Sequence, residues 1–167
     1  MAVPPLAKTF NLQPFLGGWA PWSRIGLCCR PGPSRRAATI DPELAPVRQM
    51  AGIYVFRWAE EPAEVVSHVD PAVVVYIGET SHFGGRMNNW AASAGFWGGR
   101  KSGHSAAWRW EDGHEHLWSA CFETPTPDSV RLGKHVRLYY EVMATEEYRA
   151  ANGSLPRVNE WEKVARS

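Results

Sequence analysis

Hydrophobic positions fall into readable periods from Ala51 onward, and these periods predict most of the elements. "GIYVFRW" (52–58) is β-branched and aromatic, and Tyr54, Phe56 and Trp58 alternate onto one face, as in a strand. After the polar, proline-interrupted connector "EEPAEVVSHVDP", the run "AVVVYIG" (72–78) predicts a second strand. It is apolar on both faces, so it is expected at the centre of its sheet. "NNWAASAGFW" (88–97) predicts a short helix ended by the glycines of "FWGGRKSGH", and "HLWSACFE" (116–123) a third strand. A long helix is expected from about Ser129 to Ala151, with Asp128 as its N-cap and Gly153 as its stop. Leu132, Val136, Tyr139 and Met143 recur at steps of four, three and four residues and form its expected core-facing stripe.

The resulting order, strand, strand, helix, strand, helix, predicts an α+β fold in which a small sheet carries packed helices. Residues 1–46 differ from residues 47–167. They hold more than half of the 13 prolines, and "CRPGPSRRA" (29–37) reads as a turn-rich, locally basic arm. Either the arm is loosely packed, or Arg30, Arg35 and Arg36 touch phosphates or a partner while Trp19 and Trp22 anchor it.

Composition adds limits. A chain of 167 residues with 44% hydrophobic positions can bury a core, and nine Trp promise large buried rings or stacking surfaces. A net charge of +1 supplies no general attraction to nucleic acid, so any such attraction must be local. Three cysteines, Cys28, Cys29 and Cys121, make neither a disulfide framework nor a zinc set, which fits a reducing, cytoplasmic setting. No apolar run has the length of a membrane span, and the N-terminal stretch is too broken by proline and glycine for a signal peptide. A soluble, intracellular protein is expected.

The order Gly52-Ile53-Tyr54, Tyr76-Ile77-Gly78, Arg86, a helical glutamate and Asn159 after "LPRV" resembles the GIY-YIG nucleases over residues 51 to about 160. That superfamily includes the N-terminal nuclease of the bacterial excision-repair endonuclease and some homing and restriction endonucleases. The resemblance implies a small antiparallel three-stranded sheet flanked by helices. It also implies a metal-dependent endonuclease that hydrolyses phosphodiester bonds in double-stranded or branched DNA, with Mg²⁺ or Mn²⁺ as cofactor. A homodimer is compatible with cutting both strands.

The chemistry suits these residue types. Phosphodiester hydrolysis needs a polarised water, stabilised phosphate oxygens and charge relief at the leaving oxygen. A phenol near positive charge can take a proton, a guanidinium offers phosphate a planar fork, and a carboxylate is a hard ligand for Mg²⁺. By resemblance, Tyr54 is the general base, Tyr76 supports the water or phosphate, Arg86 binds phosphate and Asn159 docks the tail. Read from the residues alone, Tyr54 and Tyr76 are also an ordinary cross-strand aromatic pair.

The sequence departs from the family pattern at two places. Trp90 stands one turn after Arg86, where relatives often carry a Tyr or His, and indole cannot accept a proton. His104, in "KSGHSAAW", is the substitute candidate, with a surface-loop histidine as the alternative. Glu79 stands where relatives often place a lysine, so Arg100 or Lys101 would have to compensate.

The resemblance makes Glu141 from "LYYE" the metal ligand, or Glu147 if the family's shorter spacing to Asn159 applies. Glu141 falls opposite the Leu132–Met143 stripe, and Glu147 lies nearer to it. Trp97, Trp108 and Trp110 either stack on bases beside the basic loop 98–104 or fill the core. His114 and His116 lack a third metal partner, and Cys28-Cys29 lacks a base, so neither pair is assigned a function. Set against the endonuclease is a nucleic-acid-binding module that keeps the fold without the catalysis.

Overall fold

A computed structural model describes residues 20–21, 44–60, 74–96, 107, 110, 115–125, 127 and 129–159. Its elements, in chain order, are β1 (Ala20–Pro21), α1 (Leu44–Val47), β2 (Gly52–Trp58), β3 (Val74–Thr80), α2 (Phe83–Ala94), β4 (Leu117–Glu123) and α3 (Val130–Asn152). This is an α+β arrangement. Three antiparallel strands of seven residues form the sheet, and the two-residue β1 pairs onto β4 to give the order β1-β4-β2-β3. The N-terminal arm therefore contributes a short strand.

β2, not β3, is the central strand. The double-sided apolar character of β3 has another cause: helical layers cover both faces of the sheet. On one face Tyr54, Phe56, Tyr76, Leu117 and Cys121 meet Phe83, Met87 and Trp90 of α2, together with Val47, Met50, Trp110 and Val158. On the other, Ile53, Val55, Val74, Ile77, Ala120 and Phe122 meet Tyr140, Ala144 and Tyr148 of α3. A bulge at Val75 sits between the Phe56–Tyr76 and Arg57–Val74 pairs, so Val75 and Tyr76 both reach the first face.

The helix boundaries differ from expectation in instructive ways. α2 starts five residues before Asn88, because His82 caps it through its side chain. It stops at Ala94 because Gly95 takes φ 78°, a left-handed conformation that costs glycine little. α3 is capped by Ser129, whose hydroxyl accepts from the Leu132 N–H, whereas Asp128 lies outside the described residues. Gly153 ends α3 at φ 78°, with its N–H donating to the Arg149 carbonyl, as the sequence predicts.

The stripe of α3 that faces the sheet is Gly133, Arg137, Ala144 and Tyr148, not Leu132, Val136, Tyr139 and Met143. Leu132 is 52% exposed and Tyr139 38%. Periodicity found a real apolar face but assigned it to the wrong layer. Against the apolar surface of Ile53, Val55 and Phe122, small residues and the foot of Tyr148 pack more closely than a row of leucine-sized groups.

Candidate functional site

Strand register brings the two tripeptides together. Tyr54 lies opposite Gly78 and Phe56 opposite Tyr76, so the two phenols are diagonal neighbours on one face. Their ring centroids are 5.7 Å apart. Gly78 makes this possible: a Cβ there would lie 2.7 Å from Cζ and Oη of Tyr54 and 2.7 Å from Cε1 of Tyr76. Gly52 has a separate reason, because a Cβ there would come within 2.0 Å of the Phe122 carbonyl oxygen on β4. Each glycine thus clears space, one for a strand and one for two rings.

Both phenols are inside the protein, with Tyr54 0% and Tyr76 3% exposed. Tyr54 packs edge-on against Phe56 at 5.3 Å, and Trp90 closes the cluster at 4.5 Å from Phe56 and 5.1 Å from Tyr76. Trp90 therefore acts as packing. Trp110 continues the stack at 6.3 Å from Trp90, and the Arg157 guanidinium lies 5.5 Å over the Trp110 ring. Trp110 is buried and belongs to the core, not to a base-stacking surface.

Arg86 is the fourth residue of α2, directly after β3, and is half-buried. The start of a helix commonly offers free N–H groups to an anion. Here the protein takes them itself. Phe83 N–H donates to the Met50 carbonyl, Gly84 N–H to the Arg48 carbonyl, Gly85 N–H to Nδ1 of His82 at 2.8 Å, and Arg86 N–H to the His82 carbonyl. The second nitrogen of His82 lies 3.1 Å from Oε1 of Gln49, which ties the cap to the segment after α1. An anion at this corner would meet the Arg86 side chain rather than the helix backbone.

Asn159 docks the tail with both ends of its amide. Its Oδ1 accepts from the Ile77 N–H at 2.9 Å, and its Nδ2 donates to the Ile77 carbonyl at 2.8 Å. Those backbone groups point away from β2, on the side of β3 that pairs with no other described strand. Residues 157–159 are helical, and Pro156 and Val158 are buried, which fixes this approach.

Comparison with protein-family models, curated proteins and solved structures found no match for this chain. The site is therefore read from its own residues.

The carboxylates sit on the other layer. Glu141 and Glu147 are half-buried on α3, which packs against the face opposite the phenols. With the sheet-facing stripe at Gly133, Arg137, Ala144 and Tyr148, Glu141 lies beside that stripe and Glu147 at its flank. This reverses the ranking drawn from the Leu132–Met143 stripe. Tyr54 and Tyr76 are brought together, and Asn159 joins them through Ile77. Neither glutamate shares their face.

Among the described residues no group of three or more His, Cys, Asp or Glu side chains forms a metal cage. Mg²⁺ does not need one, since it keeps most of its waters and binds through one or two carboxylates plus substrate phosphate. Glu141 has the donor chemistry for that role.

Sequence reasoning missed Arg137. Its Nε donates to Oε2 of Glu79 at 2.9 Å, and both side chains are largely covered. Glu79 thus ties β3 to α3. No local signal announces a pair separated by 58 residues. His82 was missed as well, because histidine is not among the usual capping residues.

Cys121 faces Tyr54 across the β2–β4 pair, and burial, then the nearby Glu123 carboxylate, pushes its thiol up to about 12. It is not a nucleophile at neutral pH. His104, Arg100, Lys101, Trp97, Trp108, His114, Cys28, Cys29 and the N-terminal arginines Arg30, Arg35 and Arg36 lie outside the described residues. No described helix is long and apolar enough to cross a membrane.

Proposed function

We propose that this chain is a GIY-YIG-type endonuclease that hydrolyses phosphodiester bonds in DNA. One observation carries the reading: the Gly-Ile-Tyr and Tyr-Ile-Gly segments are antiparallel neighbours whose phenols meet over Gly78, with the Arg86 helix beginning directly after β3. Two phenols on adjacent strands, and an arginine in the first turn of the helix that follows, are the residue types that phosphodiester attack needs.

In this reading Tyr54 holds and deprotonates the attacking water, and Tyr76 orients it. Arg86 binds the non-bridging oxygens through charge-assisted hydrogen bonds. Asn159 fixes the Ile77 peptide, and with it the strand that carries Tyr76. Glu141 has the donor chemistry for Mg²⁺ or Mn²⁺, which would supply charge relief at a phosphate, but it stands on the layer opposite the two phenols and would not share their phosphate.

A second reading is favoured by the burial of both phenols and by the placement of Glu141 and Glu147 on the opposite layer. It is a nucleic-acid-binding module on the same fold, without cleavage. Supercoiled plasmid incubated with the purified protein and Mg²⁺ or Mn²⁺ separates the two. The nuclease nicks it, and Tyr54→Phe and Arg86→Ala each lower the rate by about 100-fold or more. Only one of Glu141→Ala and Glu147→Ala should do the same. Intact plasmid in every lane, together with retarded mobility on a gel, would establish the binding module instead.

A further inference from the structure

Both long helices begin at the same end of the sheet. α2 starts directly after β3 finishes at Thr80. α3 runs against β3, since Arg137 pairs with Glu79 near the end of that strand and the Tyr148 hydroxyl donates to the Val74 carbonyl at its start. Arg131 precedes Arg137 by six residues, about 9 Å along the helix axis, and Lys134 by half as many. They therefore stand at or beyond the Thr80 end of β3, where Gly52 begins β2 and Glu123 closes β4. Arg86 of α2, and Arg48, whose carbonyl accepts from the Gly84 N–H, belong to the same end but to the phenol layer.

Among the described residues, Arg48, Arg86, Arg131 and Lys134 take part in no ion pair, whereas Arg137 is neutralised by Glu79. Arg131 and Lys134 are exposed, and Arg48 and Arg86 are half-buried. The acids described at this end are Glu79, already paired, and Glu123, which is exposed; Asp128 lies outside the described residues. Neither α2 nor α3 has an acid in its first turn. Cations near helix N-termini stand against the macrodipole and work against the fold. An anion bound from outside reverses that sign.

We infer that the Gly52–Thr80 end of the sheet is a docking surface for duplex DNA, and that it grips the phosphates from two layers. Arg48 and Arg86 act from the phenol layer, and Arg131 and Lys134 from the α3 layer. The thickness of the sheet separates the two groups, so one phosphate cannot satisfy both. A polymer of phosphates can, and a duplex carries them in two rows on either side of a groove. Unpaired cations without a matching set of acids are the complement such a polymer needs. The inference rests on the nucleic-acid reading above and extends it to α3. Arg131 and Lys134 stand on the layer opposite Tyr54 and Tyr76, so their role is to hold the duplex and not to take part in the chemistry.

Fluorescence anisotropy of a labelled DNA duplex, titrated with the full chain in EDTA so that no cleavage occurs, tests this. At about 0.1 M salt, Arg131→Ala and Lys134→Ala should each weaken binding by about threefold to tenfold. Each should also flatten the slope of log K against log salt by about one, and the double variant by about two. Arg149→Ala, at the far end of α3 and paired with Glu146, should bind like the parent. Neither α3 variant should melt below the parent, because a cation removed from a helix N-terminus relieves the macrodipole. Equal binding by the parent and both α3 variants would overturn the inference, even if the parent nicks plasmid. Loss of affinity in those variants without any nicking would uphold it and remove only the cleavage. A parent that binds no duplex would overturn it. So would displacement of the duplex by polyglutamate as readily as by unlabelled DNA, since the surface would then take acidic protein.

Discussion

The sheet face that carries Tyr54 and the face that carries Ile53 belong to the same three strands, yet they are held together differently. The first is tiled with aromatic rings, Tyr54, Phe56, Tyr76, Trp90 and Trp110, whose fit depends on the missing side chain at Gly78. The second is aliphatic and close-packed, and its polar tie is the Glu79–Arg137 pair. Ring clusters tolerate little change in shape, because each edge meets another ring. An aliphatic face can repack, but a charge buried beside it cannot be left alone. The candidate chemistry sits on the face that is less able to adjust.

The largest effects should come from the two glycines, and they separate strand from face. Gly52→Ala drives a methyl into the Phe122 carbonyl, which is backbone, so both faces lose their common sheet. A cost of about 4 kcal/mol or more is expected, enough to lower Tm by about 10 °C. Gly78→Ala meets side chains that can partly give way. It should cost about 2–3 kcal/mol and change the environment of Trp90, while Glu79 and Arg137 stay paired. Thermal melts followed by near-UV circular dichroism distinguish them. Equal losses in both variants would mean that the phenol face has no packing demand of its own.

A smaller effect is expected on the aliphatic face. Arg137→Met strands the Glu79 carboxylate between β3 and α3 and should cost about 2 kcal/mol, less than for a pair wholly out of water. Glu79→Leu combined with Arg137→Met should recover most of that, since two apolar groups need no partners. Urea denaturation of the two singles and the double measures the coupling. A double variant as unstable as the sum of the singles would remove the distinction drawn between the faces.

Up to about pH 10 the smallest effect is a pH dependence confined to the ring face. Burial raises the Cys121 thiol to about 12 from a reference of 9.0, so the folded state keeps its proton longer than the unfolded state does. The stabilisation this gives is complete below pH 9 and is lost as pH rises from there towards 12. Stability measured from pH 8 to 11 should fall more steeply in the parent than in Cys121→Ala. Parallel slopes would show that the thiol titrates alike in both states.

Much of this architecture is legible from residue order. β2 was delimited at Gly52 and Trp58 because β-branched and aromatic residues crowd a run with turn-like flanks. Gly153 announced the end of α3 because few other residues accept a left-handed turn there. What period alone cannot give is which layer a face meets. Leu132, Val136, Tyr139 and Met143 satisfy the helical rule, yet the sheet is covered by Gly133, Arg137, Ala144 and Tyr148. β3 misled for a related reason: helices on two sides make an edge strand as apolar as a central one. At the site, a cross-strand pair of Tyr54 and Tyr76 was readable because each phenol sits in an aromatic, β-branched run, whereas the clearance at Gly78 depends on the register and was not. The Glu79–Arg137 tie and the His82 cap were not, since both depend on how separate elements meet.

A single amide at position 159 does for the Ile77 backbone what a neighbouring strand would otherwise do. A chain shortened to end before Val158 would keep every long strand and both long helices, yet it would offer β3 as a template on which a foreign backbone could grow. Residues 156–159 thus help to keep that edge from pairing with a neighbouring molecule.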